Sequence, residues 1–196
     1  TGTTGPDMDA ITALLTRNSA ARLAEPAPAG AAREQIFRAA LRAPDHARLQ
    51  PWHFLVVEGE GRNALGAAMV RAMQRRAPQT DAQALEKLRA NPLRAPLVLV
   101  LVAHLGEHPK VPELEQLLAT ACAAQNMLLA AHALGFGGIW RTGAITYSGE
   151  LREELQQLAR TKGVTLLGTG VNPGFVMDKL QLTVSSVCQE IKSVEI

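Results

Sequence analysis

The stretch APLVLVLVAHL, residues 95–105, constrains the fold most. It is rich in β-branched residues, so it reads as a strand. No polar residue alternates along it, so both of its faces must be covered. It is too short to cross a membrane as a helix. The second constraint is the pattern from Pro112 to Leu134, one long and mostly apolar helix. A helix apolar on most of its faces belongs in the middle of a core or at an interface between subunits.

The remaining segments are mostly helical in period. Asp7 is placed to cap a helix carrying Met8, Ile11, Leu14 and Leu15 at 3.6-residue spacing. AEPAPAG is a Pro/Gly-rich connection, and AAREQIFRAALRA is a helix that Pro44 should end. HFLVVEG reads as a strand stopped at Gly59. Residues 61–76 and TDAQALEKLRAN are helical, the latter opened by Thr80-Asp81. GFGGIWR leads into a short strand, YSGELREELQQLARTKG is an amphipathic helix with Glu153-Glu154 on its solvated face, and VTLLG is a strand. Few strands lie among many helices, which predicts an α+β fold with helices around a small central sheet rather than a doubly wound sheet. The 196 residues suit one domain. Residues 1–7 read as a flexible leader and 8–196 as that single domain.

Composition removes several function classes. The formal net charge is +2 and aromatic residues are only 4%, so the basic, aromatic-rich stripe of a nucleic-acid binder is missing. No membrane span and no secretory signal pattern is legible. The two cysteines have no metal-ligand spacing, and the five histidines form no H-x-x-x-H pair, so no metal site is expected. With no disulfide framework, a reducing cytoplasm is the default location. No G-x-S-x-G elbow or other nucleophile motif occurs.

Three short stretches carry more polar chemistry than connectors need. In RNSAARL, Arg17 and Ser19 can grip a phosphate, with the guanidinium forking onto two oxygens and the hydroxyl donating to a third. An ordinary solvated helix end reads the same way. RAPDHARLQPWHF packs Arg42, Asp45, His46 and Trp52 between a helix and a strand. A surface loop with a capping aspartate is the plain alternative. GFGGIWRTGA offers Trp140, Arg141 and Thr142 after glycines that permit positive φ and close approach, although Gly135 also suits a helix C-cap. GTGVNPG, residues 168–174, has G-x-G-x-x-x-G spacing and is no dinucleotide fingerprint.

Taken together, RNSAARLAEPAP, RAPDHARLQPWHFLVVEGEGR and GFGGIWRTGA, in that order, resemble the FMN-dependent nitroreductase family, in its small bacterial NAD(P)H nitroreductase form. The resemblance covers about residues 8–149. It implies a nitroreductase-like fold, a homodimer with the long helix at its interface, and FMN bound there. By motif match the implied FMN residues are Arg17, Asn18, Ser19, Arg42, His46, Trp140, Arg141 and Thr142, some acting from the partner subunit. Asn18 stands where the family carries the second arginine of R-R-S. Ala130, Ala131, His132, Ala133, Leu134 and Gly135 match the stretch implied for the nicotinamide. NAD(P)H would then pass a hydride to the flavin, which would reduce a nitroaromatic, a quinone or a similar small-molecule acceptor. No catalytic side chain is required.

Residues 150–196 depart from the family. LLGTGVNPGFVMDKLQLTVSSVCQEIKSVEI instead resembles a segment of dehydrogenases related to dihydrodipicolinate reductase and diaminopentanoate dehydrogenase, without their nucleotide-binding half. The alternative expectation is therefore a non-catalytic flavin binder or an inert chimeric scaffold. An amino-acid dehydrogenase resting on the tail alone ranks last.

Overall fold

The computed structural model describes residues 8–161, 181–185 and 192–193. The leader expected over 1–7, the strand expected at VTLLG and the GTGVNPG stretch lie outside them.

The 95–105 run forms β2, Val98–Ala103, and every one of its residues is buried. Alternation sends its side chains to two separate cores. Leu97, Leu99 and Leu101 join one cluster, and Val98, Val100 and Val102 join the other. β1, Trp52–Val57, lies antiparallel to it, with Trp52 opposite Ala103 and Val57 opposite Val98. β3 is Trp140–Arg141, β4 is Gln181–Ser185 and β5 is Lys192–Ser193. The sheet order is β3-β4-β2-β1-β5, with every pairing antiparallel. A small antiparallel sheet with helices on both faces is the α+β arrangement the sequence predicts.

The first core lies between the sheet and two helices, α2 (Gly30–Ala40) and α5 (Glu113–Ala133). Phe37 meets Phe54 edge-to-face at 5.6 Å between ring centroids. Trp52 is buried here as a core residue at the start of β1. α5 runs 21 residues as one helix, as the apolar pattern requires. Its packed side carries small residues such as Ala119, Ala123, Ala124 and Ala131, which lets the helix sit close to the sheet. The second core lies under α3 (Glu60–Arg76) and α6 (Gly149–Thr161), with α4 (Ala82–Ala90) packed against α3. Asp81 caps α4 by accepting from the Ala84 N–H at 2.9 Å.

Two expectations need correction. Asp9, not Asp7, caps the first helix, α1 (Ala10–Thr16), because it directly precedes the first helical residue. Its carboxylate accepts from the Thr12 hydroxyl at 2.5 Å and from the N–H groups of Thr12 and Ile11 at 3.1 and 2.9 Å, and these bonds, the hydroxyl's first, hold its pKa below the usual carboxylate value. Glu154 is not on a solvated face. It is 8% exposed and accepts from Arg71 on α3 at 2.7 Å, with Arg75 at 3.6 Å. Arg75 also bonds Glu153 at 2.9 Å and the Glu150 carbonyl at 2.7 Å.

Candidate active site

The three motif stretches fall into two groups along α5. At its C-terminal end the chain stops in a glycine cap. Gly135, at φ +83°, donates to the His132 carbonyl at 2.9 Å, and Phe136 donates to the Ala131 carbonyl at 2.8 Å. Gly137 and Gly138 permit close approach, but to this chain's own leucines. A Cβ on Gly137 would lie 2.9 Å from Leu23, and one on Gly138 would lie 2.8 Å from Leu128. That closeness brings the segment after α1 against the W-R-T segment. Ser19 bridges Gly138, and Ala20 donates to the Gly138 carbonyl at 3.2 Å. Thr16 Oγ1 lies 2.8 Å from His132 Nε2, which ties α1 to the end of α5.

Arg17, Asn18, Ser19, Trp140, Arg141 and Thr142 are therefore gathered on two adjoining segments. Arg141 and Thr142 also border a cavity of about 260 Å³ floored by Leu65, Met69, Val98 and Ile145. Trp140 packs against the α2–α5 core on the other side. The edge strand β3 and Thr142 just after it thus present a cation, a hydroxyl and an indole where the two layers meet. Within the stretch expected to meet the nicotinamide, Ala131 is buried, Ala130, His132 and Ala133 are half-buried, and Leu134 and Gly135 are exposed.

Arg42 and His46 lie elsewhere. α2 stops at Ala40, and Arg42 sits in the turn before Pro44, its side chain exposed. His46 Nδ1 lies 2.8 Å from a carboxylate oxygen of Glu115, in the first turn of α5. From Glu115 to His132 is 17 residues, or about 25 Å of helix at ~1.5 Å per residue. A single chain does not bring His46 to Arg17 and Arg141.

The loop that carries His46 is strained. Ala47, Arg48 and Gln50 have φ of 64°, 54° and 47°, all in the left-handed region that non-glycine residues avoid. Each costs on the order of 1–3 kcal/mol and persists only where the surroundings enforce it. Here Asp45 accepts from the Gln50 N–H at 2.6 Å, and the Pro51 carbonyl accepts from Thr120 at 3.0 Å and from the His104 N–H at 2.9 Å. Strain held in place this firmly marks the loop as more than a connector. Sequence reasoning missed Glu115, and it lies 69 residues from His46 with no local pattern to flag it.

The side chains of Arg17, Arg42 and Arg141 have no ion pair or hydrogen bond among the described residues. Also among the described residues, no group of three or more His, Cys, Asp or Glu is placed to hold a metal, and no helix is long and apolar enough to cross a membrane.

The model of the nitroreductase family matches residues 22–169. The chain belongs to the nitroreductase family. The Escherichia coli (strain K12) protein YdjA, provisionally named an NAD(P)H nitroreductase, is 46% identical over 164 residues, 83% of this chain and 88% of that protein. Among solved structures, a nitroreductase-like family protein from Bacillus cereus superposes with a TM-score of 0.65 at 21% identity, covering 96% of this chain and 89% of that one. A nitroreductase from Bacteroides fragilis, solved with bound FMN, superposes at 0.62 and 17% identity, covering 93% and 88%. These likenesses establish a nitroreductase fold. A C-terminal match is of a different kind: 2,4-diaminopentanoate dehydrogenase of Acetoanaerobium sticklandii is 44% identical over 45 residues, 23% of this chain but 13% of that enzyme. The nitroreductase family thus accounts for most of the chain, and the second resemblance is confined to its end.

Proposed function

We propose that this protein is an FMN-dependent NAD(P)H oxidoreductase, active as a homodimer, that reduces a nitroaromatic, a quinone or a similar acceptor. One observation carries the reading: the implied cofactor residues form two sets about 25 Å apart along α5, each with an arginine that has no partner among the described residues, so one chain cannot close a site around a single flavin. Two chains can, if the His46 end of one α5 meets the Arg17–Arg141 end of the other. The exposed leucines support such a pairing. Leu14 and Leu15 on α1, Leu114 and Leu118 on α5 and Leu134 just after it are large apolar residues left exposed by the single chain.

The donor set fits the cofactor. Arg17 and Arg141, with the Ser19 and Thr142 hydroxyls, are hard donors on adjoining segments, suited to a phosphate. Trp140 offers an aromatic wall beside them. Bound FMN would supply the two-electron chemistry. The chain's own residues bind and orient it, and exclude water by closing the dimer over it. Leu134, Gly135 and the half-buried residues of the last turn of α5 form the surface offered to the nicotinamide.

The test is absorbance of the purified protein after incubation with FMN and gel filtration. The expected result is flavin travelling with a dimer, followed by NAD(P)H oxidation in the presence of a nitroaromatic or quinone. A colourless dimer, or flavin travelling with a monomer, would overturn the proposal.

A further inference from the structure

We propose that Glu115 is a positioning residue that fixes His46 as a single-site proton donor and acceptor toward the flavin. The inference rests on the flavin reading above and deepens it.

A carboxylate only accepts hydrogen bonds, so the ring nitrogen 2.8 Å from it, Nδ1, carries the hydrogen. That leaves Nε2 as the one ring atom that can gain or lose a proton. His46 is 55% exposed on its side chain, and Nε2 has no partner among the described residues. Glu115 itself stands on a 21-residue helix, in the first turn, where the helix dipole favours a carboxylate. The backbone side of the arrangement is equally preset. Asp45 latches the loop through Gln50, and the left-handed Ala47 and Arg48 hold its path. Leu114 and Leu118, within three residues of Glu115 on the same end of α5, are exposed. The dyad therefore sits at the rim of the face assigned above to the partner subunit.

The chemistry follows from the ring's two states. With both nitrogens protonated, Nε2–H is a charged donor, and a charged donor beside developing negative charge stabilises the reduced, anionic form of a redox group. With Nε2 bare, the ring can only accept there. Without Glu115 the hydrogen is free to move to Nε2 in the neutral ring, and the ring plane is no longer held. The plain alternative is an exposed pair that contributes on the order of 0–1 kcal/mol to stability and nothing else.

The experiment compares the wild-type dimer with Glu115→Ala and Glu115→Gln. Ring ¹⁵N shifts of His46 are read in the flavin-free protein, and FMN dissociation constants and midpoint potentials in the loaded one. The wild type should hold hydrogen at Nδ1. Glu115→Ala should release it and disfavour the reduced flavin about tenfold, which is about 30 mV for a two-electron couple. Glu115→Gln, whose amide oxygen still accepts, should keep the Nδ1 hydrogen and recover part of that loss. A wild-type ring protonated at Nε2 alone, or a potential unmoved in Glu115→Ala, would overturn the assignment. A wild type that binds no flavin at all would instead overturn the functional reading, and this inference with it.

Discussion

On the α3–α6 side of the sheet, arginines meet carboxylates: Arg71 and Arg75 hold Glu154, and Arg75 also holds Glu153. Around α1, the end of α2 and the edge strand β3, Arg17, Arg42 and Arg141 have side chains with no partner among the described residues, and Ile11, Leu14 and Leu15 are 63%, 56% and 81% exposed. Both layers cover the same strand, and both bury a comparable apolar stripe of it. They differ in what lies beyond that stripe. The first layer pairs these arginines within the chain, whereas the second region leaves cations and leucines exposed together. A surface of that kind is costly to leave in water, and a bound anionic cofactor with a second subunit would complete it.

The sharpest break of this comparison is in the shared strand. Leu101 and Val100 are both fully buried, one facing each layer. Leu101→Ala should cost about 2–5 kcal/mol, the usual range for a buried leucine, in urea unfolding of the flavin-free protein. The effect should be the same with or without the exposed face covered, because β2 is core in either state. A loss well under 1 kcal/mol would mean that the two cores are not both packed on this strand.

The next test separates binding from stability. Arg141→Ala should leave unfolding within about 0.5 kcal/mol of wild type, since its side chain is solvated. The same variant should weaken FMN binding by at least ~10-fold, the loss expected of a charged hydrogen bond. Glu154→Ala should do the reverse. It should destabilise by about 1–2 kcal/mol, because Arg71 and Arg75 are half-exposed and stay solvated when the carboxylate is gone. Its flavin affinity should be unchanged. If the two variants behaved alike, the division between a completed and an uncompleted layer would fail.

The sequence made the finished parts of the fold the easier ones to read. β2 and α5 are long, uniform patterns whose burial follows from composition alone, and both appear where the pattern puts them. Helix ends set by local chemistry were also legible, as at Asp81 and Gly135. What depended on contacts distant in the chain was not. The Arg71–Glu154 pair spans 83 residues and the His46–Glu115 pair 69, and neither has a one-dimensional signature strong enough to compete with a solvated reading. The candidate site was legible only as three motifs taken together. Their residue types pointed to a bound anion, but their division between the two ends of α5 required the fold. α1 shows the remaining difficulty. Its apolar period predicts a helix and a helix forms, yet only Ala13 is buried, and Ile11, Leu14 and Leu15 stay exposed on the single chain.

A smaller effect should distinguish the strained loop from an ordinary one. Ala47→Gly relieves a left-handed alanine and should raise stability by about 1 kcal/mol in thermal unfolding. The same change frees the segment that carries His46, so flavin binding should weaken by a few-fold. Opposite signs for the two measurements would place the strain in the service of the site. A gain in both would mean that the loop is strained for no functional purpose.

The smallest effect lies on the completed layer and depends on pH. His53 on β1 and His104 just after β2 stack edge-to-face at 5.8 Å between ring centroids. Burial, and then repulsion from His104, hold the His53 pKa below its ordinary value of 6.5. The unfolded chain therefore takes up a proton more readily than the folded one. Stability from this ring is fully present above about pH 6.5 and declines as the pH falls through the lowered folded value. His53→Phe should flatten that part of the stability–pH curve in urea titrations between about pH 5 and 7, and should leave the curve above it unchanged. Because His53 lies on the face of the sheet away from α2 and α5, flavin affinity at pH 7.5 should not follow. A matching change in affinity would mean that the two faces of the sheet are coupled, and that the contrast between the layers is one of appearance only.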